Sequence, residues 1–411
     1  MKKQIVVSLA LAILLLGVFT VPVNNTEYAE GMAIEINNQD VILYSNENRM
    51  ADILNYLDDT NSDNLEISQH TISIFDSSWI DNKTESETKE TILNSLNNHN
   101  PSIIVDGGYF MNSKIINKVS ASSPNEQIHC AYLDENGITY EYSISDRYSE
   151  SEAIRLAYEW VNNISENSTD TIESKTEQCN VQETVQSNSP HWSLIGIITY
   201  SEPLLNNRGS FALTIEVSQL MDFNDPEKDY FQLHYYVYGT ANSDDGYRLS
   251  EMTLLYGLPE GTNVYRHGPT NTSGTSGSTV GVNLGISGSG SGPGVSGGVS
   301  GSWSYSISDV TVDNRSSIAD NNIEIIHDID ENRNVGKAYC SEPGVMLTVD
   351  KEIDSNYISY THTEHHYVDT CHHEEKLFGL IDDNTEYYNH WIPYYVTVYN
   401  GHTEGDYATW N

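Results

Sequence analysis

The stretch YTHTEHHYVDTCHHEE, residues 360–375, holds the densest group of metal-ligating side chains in the chain. The candidate ligands are His362, Glu364, His366, His372 and His373. In a strand the first three share one face, but only ligands two positions apart reach one metal ion, because each residue advances about 3.3 Å. Imidazole and carboxylate suit zinc or a similar divalent ion, and the site would need His372, His373 or Glu374 from the end of the stretch. A polar, solvated strand face is the simpler interpretation.

Two aspartates follow short apolar runs that are typical of strands. Asp76 follows ISIF and Asp106 follows SIIV, which places both at carboxyl ends, where open sheets bind ligands. Two carboxylates there could hold a cation or act on a substrate, as in an extracellular hydrolase or a metal-dependent enzyme. Aspartates that cap loops explain the pattern equally well, and no phosphate loop or nucleophile elbow accompanies them. We therefore expect a non-enzymatic role and keep the enzyme as the alternative.

The glycine- and serine-rich run over 279–308 alternates between apolar and small polar residues. Its apolar positions are Val280, Val282, Leu284 and Ile286 on a first arm, and Val295, Val299, Trp303, Tyr305 and Ile307 on a second. They are even-numbered on the first arm and odd-numbered on the second, whereas a flexible linker has no reason to alternate. A period of two predicts paired strands, and the Ser-Gly-Pro-Gly between the arms predicts a turn. The run is therefore predicted to be a long amphipathic β-hairpin.

Charged residues are missing from this region. The 41 residues from Gly268 to Ser308 contain no Asp, Glu, Lys or Arg, although 19% of the chain is charged. A membrane-spanning strand needs about 9 to 11 residues, alternates apolar with polar, and tolerates charge poorly on its lipid face. Several copies would have to close a barrel, because one hairpin leaves two open edges. The membrane and other copies of the chain would then be partners. A hairpin packed permanently on a β-sandwich is the alternative.

The elements that would position these residues predict an α+β multidomain protein. Between 33 and 165, strand and helix patterns alternate, which indicates a small parallel α/β domain. A polar linker follows over 166–190, and 191–411 carries β-branched and aromatic alternation with almost no helical pattern. The second domain is therefore predicted to be antiparallel, β-rich and sandwich-like, and to bear the hairpin.

The composition indicates where the protein is located and which partners it can bind. Residues 1–30 begin with two lysines before a long apolar run, the pattern of a signal peptide or an N-terminal membrane anchor, so we expect an extracellular or cell-surface protein. Fifty-nine acidic against 19 basic side chains exclude nucleic acid as a natural partner. The four cysteines, in an exported chain, predict disulfides, with Cys130 paired to Cys179 and Cys340 to Cys371 among three formal pairings. Five N-x-Ser/Thr sequons after residue 30 predict a glycoprotein.

The segment GSGPGVSGGVSGSWSYS resembles the stem hairpin of leukocidin-type β-pore-forming toxins. That resemblance covers about 40 residues and implies a secreted, water-soluble monomer, a β-sandwich body with the hairpin folded against it, and membrane-triggered ring assembly. Two features depart from the family: an α/β domain precedes the β-rich domain, and no lipid-binding rim motif is recognisable. The chain also looks like uncharacterised secreted proteins of archaea, which imply no function.

Overall fold

The protein is described by a computed structural model, and β strands dominate it. The described residues are 31–36, 39–58, 71–105, 119–164, 192–220, 227–272, 278–284, 302–330, 337–350, 357–373 and 385–401. The predicted β-rich character is confirmed. The expected signal or anchor and the polar linker lie outside the described residues. No helix in the described part is long and apolar enough to cross a membrane.

The first part of the chain builds one end of a large sheet. Its strands are β1 (Met32–Ile36), β2 (Gln39–Tyr44), β3 (Ile72–Asp76) and β4 (Ser102–Val105). β2, β3 and β4 pair in parallel, in sequence order, while β1 pairs antiparallel with β2. Their near-continuous apolar runs, ISIF and SIIV, fit strands that helices cover on both faces.

Four helices flank these strands. They are α1 (Glu47–Asp58), α2 (Ser77–Ile80), α3 (Glu85–Asn97) and α4 (Glu150–Ile164). Thr84 and Glu87 form a capping box that begins α3, and the Ser149 hydroxyl accepts from the Glu152 N–H (3.3 Å) to begin α4. α1 and α4 pack on one face of the sheet around Ile53 and Ala157, and α2 and α3 pack on the other.

The same sheet continues into the second half of the chain. β6 (Glu126–Leu133) and β7 (Thr139–Ser145) form a hairpin beside β4, turning at Gly137 with φ of 75°. β7 then pairs in parallel with β8. The remaining strands of this sheet are β8 (Trp192–Pro203), β9 (Gly209–Leu220), β10 (Lys228–Ala241), β12 (Thr262–Gly268), β17 (Ala338–Ser341) and β18 (Gly344–Asp350). One twelve-stranded sheet therefore runs through both halves.

A second, six-stranded sheet faces the β8–β18 part of the first. Its strands are β15 (Val310–Asn314), β16 (Asn322–Ile329), β11 (Tyr247–Gly257), β19 (Tyr357–His373), β20 (Thr385–Gly401) and β5 (Val119–Ser122). The largest apolar cluster of the described residues lies between the two sheets and includes Phe211, Tyr235, Leu254 and Val396. We call these two facing sheets the body.

β13 (Ser278–Asn283) and β14 (Ser302–Ile307) form a separate two-stranded antiparallel sheet. We call this pair the stem hairpin. Its buried side chains belong to the same apolar cluster as the two body sheets. The hairpin therefore packs on the body through its side chains.

The cysteine pairing predicted from sequence is wrong. Cys130 on β6 and Cys371 on β19 are buried thiols, so neither Cys130–Cys179 nor Cys340–Cys371 is formed. Cys130 lies in the apolar core that α1 and α4 cover, where burial raises the pKa of its thiol well above the ordinary value. Cys371 and Cys340 belong to strands of different sheets. Cys179 lies outside the described residues.

Candidate functional site

The register of the stem hairpin separates its two faces. Val280 lies opposite Tyr305, and Val282 lies opposite Trp303. The residues buried by this arrangement are Val280, Val282, Leu284, Tyr305 and Ile307, with Trp303 partly buried against the same cluster. Of the residues between them, Ser304 is half-buried and the others described are exposed, namely Thr279, Gly281, Asn283, Ser302 and Ser306. The predicted positions Ile286, Val295 and Val299 lie outside the described residues.

Two glycines of the body let the hairpin approach closely. A Cβ atom on Gly268, at the end of β12, would lie 2.9 Å from Cγ1 of Val282. A Cβ atom on Gly344, at the start of β18, would overlap the six-membered ring of Trp303 and lie 3.1 Å from Cδ1 of Leu284. Real Cβ atoms do not come that close, so these contacts require glycine. The surface formed by Gly268 and Gly344 is the apolar seat of the hairpin.

Polar contacts from β14 complete the seat. Trp303 donates from Nε1 to the backbone carbonyl of Glu342 (2.9 Å), and its ring stacks on the imidazole of His234 at a centroid distance of 4.0 Å. The Tyr305 hydroxyl hydrogen-bonds Nε2 of His327 at 2.7 Å. Each contact joins a hairpin aromatic to a residue of the body, so the aromatic side chains of β14 satisfy their polar atoms while they remain buried.

The two histidines under the hairpin differ in charge preference. Burial lowers the pKa of His234, but Nδ1 lies 3.5 Å from Glu216 and Nε2 lies 3.5 Å from Glu342, and these carboxylates raise its pKa overall. Burial alone lowers the pKa of His327 to about 4. At neutral pH His327 is therefore neutral, whereas the carboxylates around His234 favour its charged form.

Residues 360–373 of the histidine-rich stretch lie on one long strand, β19, and two of the three candidate ligands whose side chains are described meet. His366 Nε2 lies 3.2 Å from Glu364, and Tyr235 donates to the same carboxylate (2.6 Å). His372 lies instead against the ring of Tyr247, at a centroid distance of 5.2 Å. The side chains of His362 and His373 lie outside the described residues. Within the described part, no three His, Cys, Asp or Glu side chains form a group that could hold a metal.

Asp76 serves the local structure. It is the N-cap of α2, is fully buried, and accepts from the Ser78 N–H (3.0 Å) and from Arg49 Nε (3.3 Å). Arg49 also pairs with Glu150 at the start of α4. The capping interpretation therefore accounts for Asp76, while Asp106 lies outside the described residues. No geometry among the described residues favours the alternative of a hydrolase.

The residues of the body that contact the hairpin could not be identified from the sequence. His234, His327 and Glu342 contact the hairpin from strands and turns far away in the chain, and no local pattern marks them. Gly344 carried a usable signal, because a glycine that opens the buried strand GVMLTV indicates a close approach of another chain segment. That signal does not say which segment approaches.

No protein-family model and no curated protein matches the sequence. Among solved structures, a pore forming protein is similar with 11% identity and a TM-score of 0.29 over 54% of this chain and 95% of that one. The delta-toxin of Clostridium perfringens has 12% identity and a TM-score of 0.29 over 54% and 95%. The Clostridium perfringens NetB toxin in its membrane-inserted form has 10% identity and a TM-score of 0.23 over 49% and 94%. At these TM-scores the likeness carries no functional argument.

Proposed function

We propose that this protein is a secreted or cell-surface, β-rich protein whose stem hairpin leaves its seat and joins the hairpins of other copies in a membrane-spanning β barrel. The observation that carries the proposal is that β13 and β14 pair only with each other among the described strands, while their apolar face is buried on the body. The hairpin can therefore leave the body by losing side-chain contacts, with no backbone ladder to break.

The two faces of the hairpin match the two environments of a barrel wall. Val280 and Val282 would face lipid tails, and Gly281 and Asn283 would face a water-filled channel. The open edges of β13 and β14 would pair with neighbouring hairpins, since lipid cannot satisfy free backbone groups. The absence of charge over 268–308 keeps the cost of insertion low.

The seat explains how such a segment would stay in solution before assembly. Val282, Leu284 and Ile307 are at most 5% exposed, so these apolar side chains of the described part of the hairpin are shielded from water in the docked form. An exposed apolar strand pair would aggregate or bind other edges. Docking therefore keeps the apolar face buried until a membrane is available.

A removable covalent lock tests the proposal. A Cβ atom on Gly268 would lie 3.5 Å from Cβ of Val282, within the range of natural disulfides, so the double variant Gly268→Cys/Val282→Cys should bridge the hairpin to β12. We expect the oxidised variant to release no dye from liposomes and the reduced variant to release it. Release is measured with an encapsulated self-quenched fluorophore.

The single variants Gly268→Cys and Val282→Cys, and the parent protein with the same reductant, are the matched controls. They should release dye whether oxidised or reduced, because neither can form the bridge. Equal release from the oxidised and reduced double variant would contradict the proposal. So would a parent that releases no dye under any condition.

A further inference from the structure

His327 lies on the inner face of β16, directly under the hairpin. It is 2% exposed, and its Nε2 hydrogen-bonds Tyr305 of β14 at 2.7 Å. Its register partners on the neighbouring strands are Met252 on β11 and Val312 on β15, both apolar and buried. The hairpin thus covers an imidazole whose register partners on both neighbouring strands are apolar.

Few titratable groups share this space. Tyr305 faces His327 from β14, and burial raises the pKa of Tyr305, with a further contribution from Glu342 in the turn between β17 and β18. In the described part of the chain no carboxylate forms an ion pair with His327, whereas His234 has two. A proton on His327 would therefore place an uncompensated charge beneath the docked hairpin, which is costly.

We propose that protonation of His327 releases the stem hairpin, so that acidification is the signal for its movement. The proposal rests on the proposed function only in taking the hairpin as the part that moves. Undocking removes Tyr305 from His327 and admits water to the ring. The undocked form therefore accepts the proton more readily than the docked form, and acid shifts the population toward it.

The size of the effect follows from linkage. Burial holds the pKa of docked His327 at about 4, against about 6.5 for an imidazole in water. Because docking lowers this pKa, neutral His327 stabilises the docked form fully above pH 6.5. That stabilisation is lost progressively as the pH falls from 6.5 to 4. The ratio of undocked to docked hairpin should rise roughly 20-fold between pH 7 and pH 5.

His234 differs from His327. Burial lowers its pKa, but Glu216 and Glu342 raise it overall, and both carboxylates belong to the body, so the charged ring keeps these partners when the hairpin leaves. Burial lowers the pKa of His267, as it lowers that of His327. The Nδ1 atom of His267 contacts Asn314 at the end of β15. His267 must therefore be separated from His327 by experiment.

The test is thiol labelling of Val282→Cys in solution, without lipid. The introduced thiol is buried when the hairpin is docked and reacts with 4,4′-dithiodipyridine, a reagent that works in acid, when it is undocked. We expect the fraction labelled at a fixed short time to rise roughly 20-fold from pH 7 to pH 5 while labelling is slow. The parent protein gives the background from the native cysteines.

Three histidine variants are compared in the Val282→Cys background. His327→Gln keeps a hydrogen-bonding side chain that cannot be charged, so labelling should no longer depend on pH. His390→Gln is the matched control: His390 on β20 is buried, its pKa is also lowered to about 4, and it lies away from the hairpin. It and His267→Gln should keep the full pH dependence.

Several outcomes would overturn the proposal. They are pH-independent labelling in the Val282→Cys protein, an unchanged pH dependence in His327→Gln, or its loss in His267→Gln or His390→Gln. If His327→Gln does not fold, as judged by circular dichroism, His327→Asn replaces it, and the Val282→Cys profile alone still decides whether acid undocks the hairpin. Because no membrane is present, failed liposome release with intact pH-dependent labelling would remove the pore proposal and leave this one standing.

Discussion

The stem hairpin and the β19–β20 hairpin are both antiparallel pairs with one face in the same core, yet they are attached in different ways. β19 and β20 pair with each other and also with β11 and β5, so backbone hydrogen bonds hold both of their outer edges. β13 and β14 pair only with each other among the described strands. The body therefore holds one hairpin by its backbone and the other by side chains.

The buried faces of the two hairpins also differ in the side chains they carry. β19–β20 buries Glu364, His366 and Tyr394, and Tyr235 of the opposite sheet donates to Glu364. The described part of the stem hairpin buries aliphatic and aromatic residues and no charged group. Buried ionisable groups with partners across two sheets fix one arrangement, because separating them leaves each unsatisfied. Among the described residues, one core therefore contains two hairpins, of which β19–β20 is tied to the opposite sheet through a buried carboxylate and the stem hairpin is not.

The largest expected difference between the hairpins is at their two tryptophans. Trp303 fills the space over Gly344 and bonds the Glu342 carbonyl, whereas Trp391 on β20 is 52% exposed. We expect Trp303→Ala to lower the free energy of opening of β13 by about 4 kcal/mol, or to abolish its protection. Trp391→Ala should change protection anywhere by less than about 1 kcal/mol. Hydrogen exchange of peptides over 278–284 and 385–401 measures both. Similar protection in the two variants would mean that Trp303 does not hold the hairpin.

A matched pair of valines gives the next largest difference. Val396 on β20 and Val282 on β13 are both at most 2% exposed in the same core. Val396→Ala should lower the stability of the body by about 2 kcal/mol and shift the main urea transition. Val282→Ala should leave that transition in place, because undocking precedes unfolding of the two sheets, and should speed exchange only over 278–284. An equal shift of the urea transition by both would make the stem hairpin as permanent as β19–β20.

The faces of the stem hairpin could be predicted from sequence because a period of two is a local property. Val282 and Trp303 each keep the parity of their own arm, and the structure pairs them directly. The strands β3 and β4 are also visible in short windows of sequence, as the apolar runs ISIF and SIIV.

What could not be predicted depends on contacts between distant parts of the chain. β7 pairs with β8 across a long intervening segment, so the first sheet continues where the sequence pattern changes from mixed helix and strand to strand alone. In the second sheet, β5 pairs with β20 near the other end of the chain. The cysteine pairing failed for the same reason: closeness in sequence placed Cys340 with Cys371, but the two strands lie in different sheets. His234 and His327 can be recognised as contacts of the hairpin only in the folded structure, where Trp303 and Tyr305 lie against them.

The smallest effect on stability is expected on the outer face of the stem hairpin. Asn283 is exposed and touches Ser302 across the strands, so Asn283→Lys should change the free energy of opening by less than about 0.5 kcal/mol. In a barrel that face lines the channel, and a ring of lysines should shift the reversal potential of planar-bilayer currents toward anion selectivity. Val282→Lys, one residue away, places the charge on the lipid face at about 2–4 kcal/mol per copy and should abolish the currents. If the two lysine variants behave alike in the bilayer, the two faces do not have the separate environments that the barrel requires.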